Sequence, residues 1–328
     1  MQTPRPGEFE AIARHFAPLA REGRFATYGL GDDAASLEQR PGHDLVLTAD
    51  ALVAGVHFRP ADAPALVARK ALRVNLSDLA AKGARPLGYL LCLSLARDVD
   101  DSWLAAFAAG LALDQAEFGV QLAGGDTTST PGPTTIAVTA IGEVPAGGMR
   151  RRGGARAGDE VLVSGTIGDA ALGLAVLEGR LQAPAPAREE LAARYLLPLP
   201  RVALGLAAPR QGLAAMDVSD GLVQDLGHVA ALAGCGAEIE AGRVPLSPSA
   251  RDLVASDPGL LDVALSGGDD YELLFAAAPP AAAALLASGE ACGVPVTRIG
   301  RLVAGQGVAI VDRDGGRRHL ARGGWTHF

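Results

Sequence analysis

Asp33, Asp50, Asp78, Asp126, Asp217 and Asp220 each fall in a short Gly-, Ser- or Thr-rich stretch, mostly behind an apolar run. The stretches read Gly29-Leu-Gly-Asp-Asp33, Leu47-Thr-Ala-Asp50, Asn75-Leu-Ser-Asp78, Gly124-Gly-Asp-Thr-Thr128 and Asp217-Val-Ser-Asp-Gly221. A single acidic side chain in such a place serves as a helix cap or an Asx-turn. Five such places spread over most of the chain point instead to one distributed site. Carboxylates gathered in space repel one another and need a cation between them. Hard oxygen donors beside open Gly-rich backbone suit Mg²⁺ and a polyphosphate. The chemistry implied is Mg²⁺-dependent and acts on phosphate.

The motifs differ in how much they say alone. Gly29-Leu-Gly-Asp-Asp33 is accounted for by a glycine turn with a solvated acidic pair. Gly124-Gly-Asp-Thr-Thr128 is more specific, because paired glycines in a turn expose backbone N–H groups to an anion while Asp126 faces a metal. No Gly-Lys-Ser/Thr follows it, and no G-x-G-x-x-G follows a strand, so neither a Walker A loop nor a dinucleotide fold is supported. Asn75 and Asp78 are three apart on one helix face, a polar pair in an apolar stripe that is costly to bury without a ligand. Capping accounts for Asp220 but not for Asp217. His57, in Val53-Ala-Gly-Val-His-Phe58, suits packing as well as function. Ser266-Gly-Gly-Asp-Asp-Tyr-Glu272 suits a hairpin or the gripping of a cationic or hydroxylated substrate.

These residues must be carried by a framework of two domains, since single cores stop growing near ~250–300 residues and the chain has 328. With 49% hydrophobic and 20% charged residues the composition is globular. A net charge of −8 argues against a general nucleic-acid or membrane-surface binder. Cys92, Cys235 and Cys292 are far apart and form no C-x-x-C, which supports neither a zinc site nor a disulfide framework. Cys92 lies in an apolar run and is expected to be buried. The polar segment Met1–Glu10 shows no secretory signal. The apolar run Ala276–Ala287, broken by Pro279 and Pro280, is too short to span a bilayer. A cytoplasmic location is expected.

Strands and helices alternate. Strands are expected at Asp44–Thr48, Leu87–Leu95, Val120–Leu122 (ending at the Gly124-Gly125 turn) and Thr134–Val144. Helices are expected at Pro64–Lys82 and from Asp100/Asp101 through Phe118. Pro145–Asp159, rich in Gly and Arg, marks a boundary, which divides the chain into 1–147 and 148–328. Beyond it come strands at Glu160–Val163, Ala214–Val218, Glu272–Ala276, Thr297–Leu302 and Val308–Val311. Helices fall at Gly168–Leu177 and after Asp220, and Leu181–Arg188 reads as a surface connection. Two mixed α/β domains follow, with the choice between a parallel sheet and an α+β arrangement open.

Taken in order, the stretches resemble the thiamine-monophosphate kinase family, of the aminoimidazole ribonucleotide synthetase superfamily. The resemblance runs nearly end to end: Gly7-Glu-Phe, Gly31-Asp-Asp, Asp50-x-Leu-Val-Ala-Gly-x-His57, Asn75-Leu-Ser-Asp-Leu-Ala-Ala81, Gly124-Gly-Asp-Thr-Thr, Asp217-x-Ser-Asp-Gly-Leu, Ser266-Gly-Gly-x-Asp-Tyr-Glu-Leu and Gly324-Trp-x-His-Phe328. It implies transfer of the γ-phosphoryl group of ATP to thiamine monophosphate. It also implies an α+β type fold and a homodimer in which N-terminal sheets pair. Position by position, it implies Asp33, Thr48, Asp50, Asp78, Asp126, Asp217 and Asp220 as Mg²⁺ ligands, with Ala49 contributing at most its backbone. Gly125, Asp126, Ser219 and one of Arg150 and Arg152 match ATP positions. His57, Asp269 and Trp325 match substrate positions. No covalent nucleophile is implied.

Two departures stand out. Asp269 occupies a position where the family usually has Glu, and Ala108 one where an aromatic contacts the nucleotide, which leaves Phe107 as a candidate for stacking. Selenophosphate synthetase would need a reactive Cys or selenocysteine in a glycine-rich N-terminal stretch, which is absent here. Aminoimidazole ribonucleotide synthetase shares ATP use but not the terminal motif or the Asp50…His57 spacing. A metal-binding regulatory protein without catalysis is the rival from another class.

Overall fold

A computed structural model describes residues 5–21, 23–321 and 323–326. Residues 1–4 of the polar N-terminus, and His327 and Phe328 of the terminal motif, lie outside the described residues. The chain divides into two units, Met1–Leu79 with Ala84–Gly147, and Ala80–Gly83 with Gly148–Phe328.

In the first unit α1 (Glu8–Ala11) is followed by a small antiparallel pair, β1 (Phe25–Ala26) and β2 (Ser36–Leu37). The main elements are β3 (His43–Val53), α2 (Pro64–Lys82), β4 (Arg85–Leu95), α3 (Asp101–Phe118), β5 (Gln121–Ser129) and β6 (Thr135–Pro145). The four long strands form one sheet in the order β3-β6-β4-β5, antiparallel except for the β4/β5 pair. Pro64 opens α2, where a fixed φ suits the first helical turn. Asp100 opens α3 by accepting the Trp103 N–H at 2.9 Å. The helices are clasped by Arg73, fully buried, which donates to Asp114 at 2.8 Å. The inner face of the sheet carries Val46, Leu52, Leu91, Leu93, Ile136 and Val138, all buried.

Gly124 and Gly125, expected in a turn, lie inside β5. A Cβ on Gly125 would stand 1.8 Å from the Leu91 carbonyl oxygen of β4, so the close parallel pairing requires glycine there. The register shifts between Tyr89 and Leu90 at the same place, a bulge that the glycines accommodate. Cys92, expected to be buried, is exposed. It belongs to the outer face of β4, whose alternate residues are apolar on both sides, so the run alone could not tell a covered face from an open one.

The second unit contains β7 (Glu160–Ser164), α4 (Asp169–Leu177), α5 (Ala185–Leu196), α6 (Val202–Ala207), β8 (Leu213–Asp217), α7 (Leu222–Leu232) and β9 (Gly236–Glu240). It continues with α8 (Pro248–Ser256), α9 (Leu260–Ser266), β10 (Leu273–Ala277), α10 (Pro279–Cys292), β11 (Val296–Val303), β12 (Val308–Val311) and β13 (Arg317–Arg318). Its strands form a sheet of order β13-β12-β9-β11-β7-β10-β8, antiparallel except for β12/β9. The architecture is therefore α+β.

Both faces of this sheet are covered. Val161, Val163, Met216 and Leu274 join Leu222, Leu226 and Val229 of α7 in one core. Leu162, Ala215, Leu273 and Phe275 join Leu204 of α6 and Leu285 of α10 in another. Antiparallel strands buried on both sides read as continuous apolar runs, the pattern ordinarily associated with parallel sheets. Two expectations change here. The segment Leu181–Arg188 is a connection only to Pro184, because α5 starts at Ala185 with proline in its first turn. Pro279 and Pro280, which break the apolar run Ala276–Ala287, likewise start α10. Among the described residues no helix is long and apolar enough to cross a membrane.

Candidate active site

In the first unit the candidates fall at two edges of the sheet. Asp78 of α2 accepts the hydroxyl of Thr48 on β3. Asn75, fully buried, accepts the Asp50 N–H at 3.1 Å and donates to the Ala71 carbonyl at 3.0 Å. Its burial is thus met within the chain, without the ligand that the Asn75/Asp78 pair suggested. β3 is an edge strand, and the Asp50 N–H points outward to Asn75. Alternation then turns the N–H and C=O of Ala49 toward β6. His57 accepts the Val53 N–H on Nδ1 at 2.9 Å, which places the ring proton on Nε2.

Asp126 lies on β5, in register with Cys92 of β4, at the opposite edge. It lines a pocket with Asp32, Asp33, Gly124, Gly125 and Thr127. Three strand spacings separate it from Ala51 of β3 along the row Ala51, Ala137, Cys92, Asp126, about 14 Å in all. Among the described residues no three His, Cys, Asp or Glu side chains converge. Phe107 is fully buried and stacked on Trp103 with ring centroids 4.9 Å apart, which removes it as a surface for adenine.

In the second unit the candidates form one block. Asp217, buried, ends β8, and Ser219 and Asp220 follow it. The Ser219 carbonyl accepts the Asp269 N–H at 2.9 Å, and the Val218 carbonyl accepts the Tyr271 N–H at 2.8 Å. A Cβ on Gly268 would stand 2.2 Å from the Ser219 oxygen, so the two loops touch through bare backbone. Asp269 and Tyr271 adopt left-handed φ values of 72° and 51°. This is a conformation that non-glycine residues hold only when their surroundings enforce it. Part of that enforcement is Asp270, buried beside Asp269, which accepts the Gly168 N–H at 2.7 Å and the Ala170 N–H at 3.3 Å. Burial raises its pKa well above the ordinary carboxylate value. Glu272, also buried, is paired with Arg194 and Arg201.

Asp220 does not cap α7 with its side chain. The N-cap is Gly221, and Asp220 instead accepts from Gln224. The role falls to Asp225, which accepts the Ser219 and Asp220 N–H groups at 3.0 and 3.1 Å. Burial, and then the negative Asp220, push the Asp225 carboxyl up to about 7. Sequence reasoning missed Asp225. The signal was an acid in the first helical turn behind a glycine, where the amides have no other side-chain partner.

The two arginines separate. Arg150 is buried and donates to the carbonyls of Pro209, Gly205 and Ala208 at 3.0, 2.7 and 2.5 Å, closing the end of α6. Burial and then the neighbouring Arg210 lower its pKa to about 10. Arg152 is exposed and close enough to Asp225 for its charge to lower that carboxyl. Ala49 apart, every side chain in the proposed metal set offers oxygen, a donor chemistry that fits Mg²⁺.

The fold and these loops place the chain in a class. Residues 31–144 match the N-terminal domain of AIR synthase related proteins, and residues 156–313 match their C-terminal domain. Within that class the chain is 44% identical to thiamine-monophosphate kinase of Caulobacter vibrioides, over 98% of this chain and 91% of that protein. It is 42% identical to thiamine-monophosphate kinase of Salmonella typhimurium, over 98% of each. The crystal structure of thiamine-monophosphate kinase from Stenotrophomonas maltophilia K279a is similar with a TM-score of 0.83 and 42% identity, covering 97% of this chain and 99% of the other. AaThiL complexed with AMPPCP and TMP is similar with a TM-score of 0.77 and 33% identity, covering 91% of each. The chain belongs to the thiamine-monophosphate kinase family.

Proposed function

We propose that this chain transfers the γ-phosphoryl group of ATP to thiamine monophosphate, giving thiamine diphosphate and ADP, as a step of thiamine diphosphate synthesis in the cytoplasm. The observation that carries the reading is the second-unit block. There Ser219, Asp220, Asp269 and Trp325, matched separately to metal, nucleotide and substrate positions, are joined by backbone hydrogen bonds of the two loops and the C-terminal segment, and Asp217 adjoins them at the end of β8, in register with Leu273 of β10. The relative solved with AMPPCP, an ATP analogue, and TMP supports the pairing of substrates.

A terminal phosphate oxygen of thiamine monophosphate attacks the γ-phosphorus in line, and the bond to the β,γ-bridging oxygen breaks to release ADP. The loose transition state calls for positioning and charge neutralisation rather than a covalent nucleophile. Mg²⁺, when bound, supplies that neutralisation. Several ions are proposed, because Asp126 and the β3 edge lie too far apart to share one; Asp33, Thr48, Asp50, Asp78, Asp126, Asp217 and Asp220 are the proposed holders. Ala49 is left out, since its backbone faces β6. Gly125 and Asp126 cradle ATP, with Ser219 and Arg152 as further contacts. His57, Asp269 and Trp325 hold thiamine monophosphate, with Asp269 one methylene shorter than the usual Glu.

A homodimer forms through the open face of the four-stranded sheet, where Leu45, Leu47 and Leu90 are exposed. The test of the function is direct. The purified chain is given ATP, Mg²⁺ and thiamine monophosphate, and ADP and thiamine diphosphate are measured. Equal amounts of both are expected, and no turnover with this acceptor would overturn the reading.

A further inference from the structure

The C-terminal segment 323–326 has no helix or strand of its own, yet it holds a fixed place on the Asp220 turn. The Trp325 N–H donates to the Asp220 carbonyl at 2.9 Å. Gln224, one helical turn along α7, donates from Nε2 to the Trp325 carbonyl at 2.6 Å and to Asp220 Oδ2 at 3.3 Å. A primary amide nitrogen has two hydrogens, so both bonds form together. Gly324 lets the segment in: a Cβ there would stand 2.4 Å from the Asp220 carbonyl oxygen and 2.6 Å from Gln224 Cβ. Trp325 itself is 52% exposed, so it is not a plug closing the core.

We propose that Gln224 is a positioning residue for thiamine monophosphate: with Gly324 it forms a clasp that fastens the Trp325 backbone to the Asp220 turn and so holds the indole where the substrate ring stacks. The inference rests on Trp325 as a substrate contact. It adds that the indole's position is set by a side chain that does not touch substrate, and that the aromatic platform is referenced to a proposed metal ligand by one amide. Removing the amide leaves the Trp325 backbone held to the turn by its N–H bond to Asp220 without the second bond from Gln224, and so loosens the platform, while the Ser219 and Arg152 side chains stay in place. The loss should therefore fall on the acceptor and not on ATP.

The experiment uses the full chain and compares Gln224→Met, Gly324→Ala, Trp325→Ala and the double variant Gln224→Met/Trp325→Ala. KM for thiamine monophosphate and for MgATP, kcat, and acrylamide quenching of tryptophan fluorescence without substrate are measured. Gln224→Met keeps the side-chain volume and removes the donor. It should raise KM for thiamine monophosphate by about 3- to 10-fold, the scale of one net hydrogen bond, with KM for ATP unchanged and quenching increased. Gly324→Ala should do the same. The double variant should be no worse than Trp325→Ala, because a clasp with nothing to hold has no further effect. Effects that multiply in the double variant, or unchanged quenching and KM in Gln224→Met, would overturn the clasp. Increased quenching in Gln224→Met, with KM for thiamine monophosphate unchanged in both Gln224→Met and Trp325→Ala, would instead overturn Trp325 as a substrate contact, and the substrate role of Gln224 with it.

Discussion

Arg150 and Arg152 stand two residues apart and lie in different surroundings. Sequence spacing could not separate them, because counting from Asp126 and counting back from Asp159 give different answers. Burial separates them: Arg150 spends its donors on the end of α6, and Arg152 is exposed near Asp225. Arg150→Ala leaves three carbonyls without their donor, and an unsatisfied buried group costs about 1–3 kcal/mol. That variant should melt at a clearly lower temperature. Arg152→Ala should melt like the parent and show a raised KM for ATP. Thermal scans and initial rates on both check this, and the reverse pattern would assign the nucleotide to Arg150. Asp126→Asn keeps size and removes one charge from a proposed metal position. Turnover should fall on the order of 100-fold, the scale of losing one preorganised group that faces transition-state charge, with normal folding. Holding MgATP constant while titrating free Mg²⁺ should show a rate that rises with the free ion in the parent and less so in the variant. Near-parental kcat in Asp126→Asn at saturating Mg²⁺ would remove Asp126 from the site.

At the scale of elements, α2 was legible from Pro64 to Lys82 because a proline start and an apolar stripe are both local signals. α5 and α10 were not, because prolines that open a helix look like breaks until the following turn is seen. The Gly124-Gly125 strand was missed for a related reason, since what makes the glycines necessary is the β4 backbone, distant in sequence. Asp225 and Asp270 belong here too, as buried carboxylates that fasten loops by accepting backbone N–H groups. Burial, and to a lesser degree Asp169, raises the pKa of Asp270, while the Gly168 and Ala170 N–H groups and Arg194 pull the other way. The folded chain therefore keeps this proton to a higher pH than the unfolded chain, whose carboxyl titrates near about 3.9. Stability from Asp270 is full below that value and declines as pH rises toward the folded pKa. Asp270→Asn removes the titration but keeps an acceptor for the α4 amides. Between pH 5 and 8, without ligands, the melting temperature of the parent should fall more steeply with pH than that of the variant. Parallel slopes would show that Asp270 does not titrate in this way.

At the scale of the whole molecule, the proposed homodimer rests on what the single chain leaves uncovered. Exposed Cys92 is the telling residue: a run apolar on both faces was read as one buried strand, whereas the outer side of β4 faces solvent in the single chain. Around it, Leu45, Leu47 and Leu90 are 37%, 63% and 38% exposed. Leu47 pairs in register with Ile141, and Cys92 with Ala137, so these side chains make one apolar face. Fully covering an exposed leucine stabilises by about 1.5–3 kcal/mol, and a partly exposed one in proportion to the area removed from water; a two-fold axis through such a face covers the same leucines on both copies. An aspartate at position 47 would bring two negative charges into the same covered face, with nothing on β6 opposite to pair them. Leu47→Asp should therefore convert a dimer into a monomer in sedimentation velocity at micromolar concentration. Leu232→Asp, at an equally exposed leucine on α7 of the second unit, serves as the control and should leave the sedimentation coefficient unchanged. A parent chain that sediments as a monomer, or a Leu47→Asp variant that remains dimeric, would show that this face is not where two copies meet.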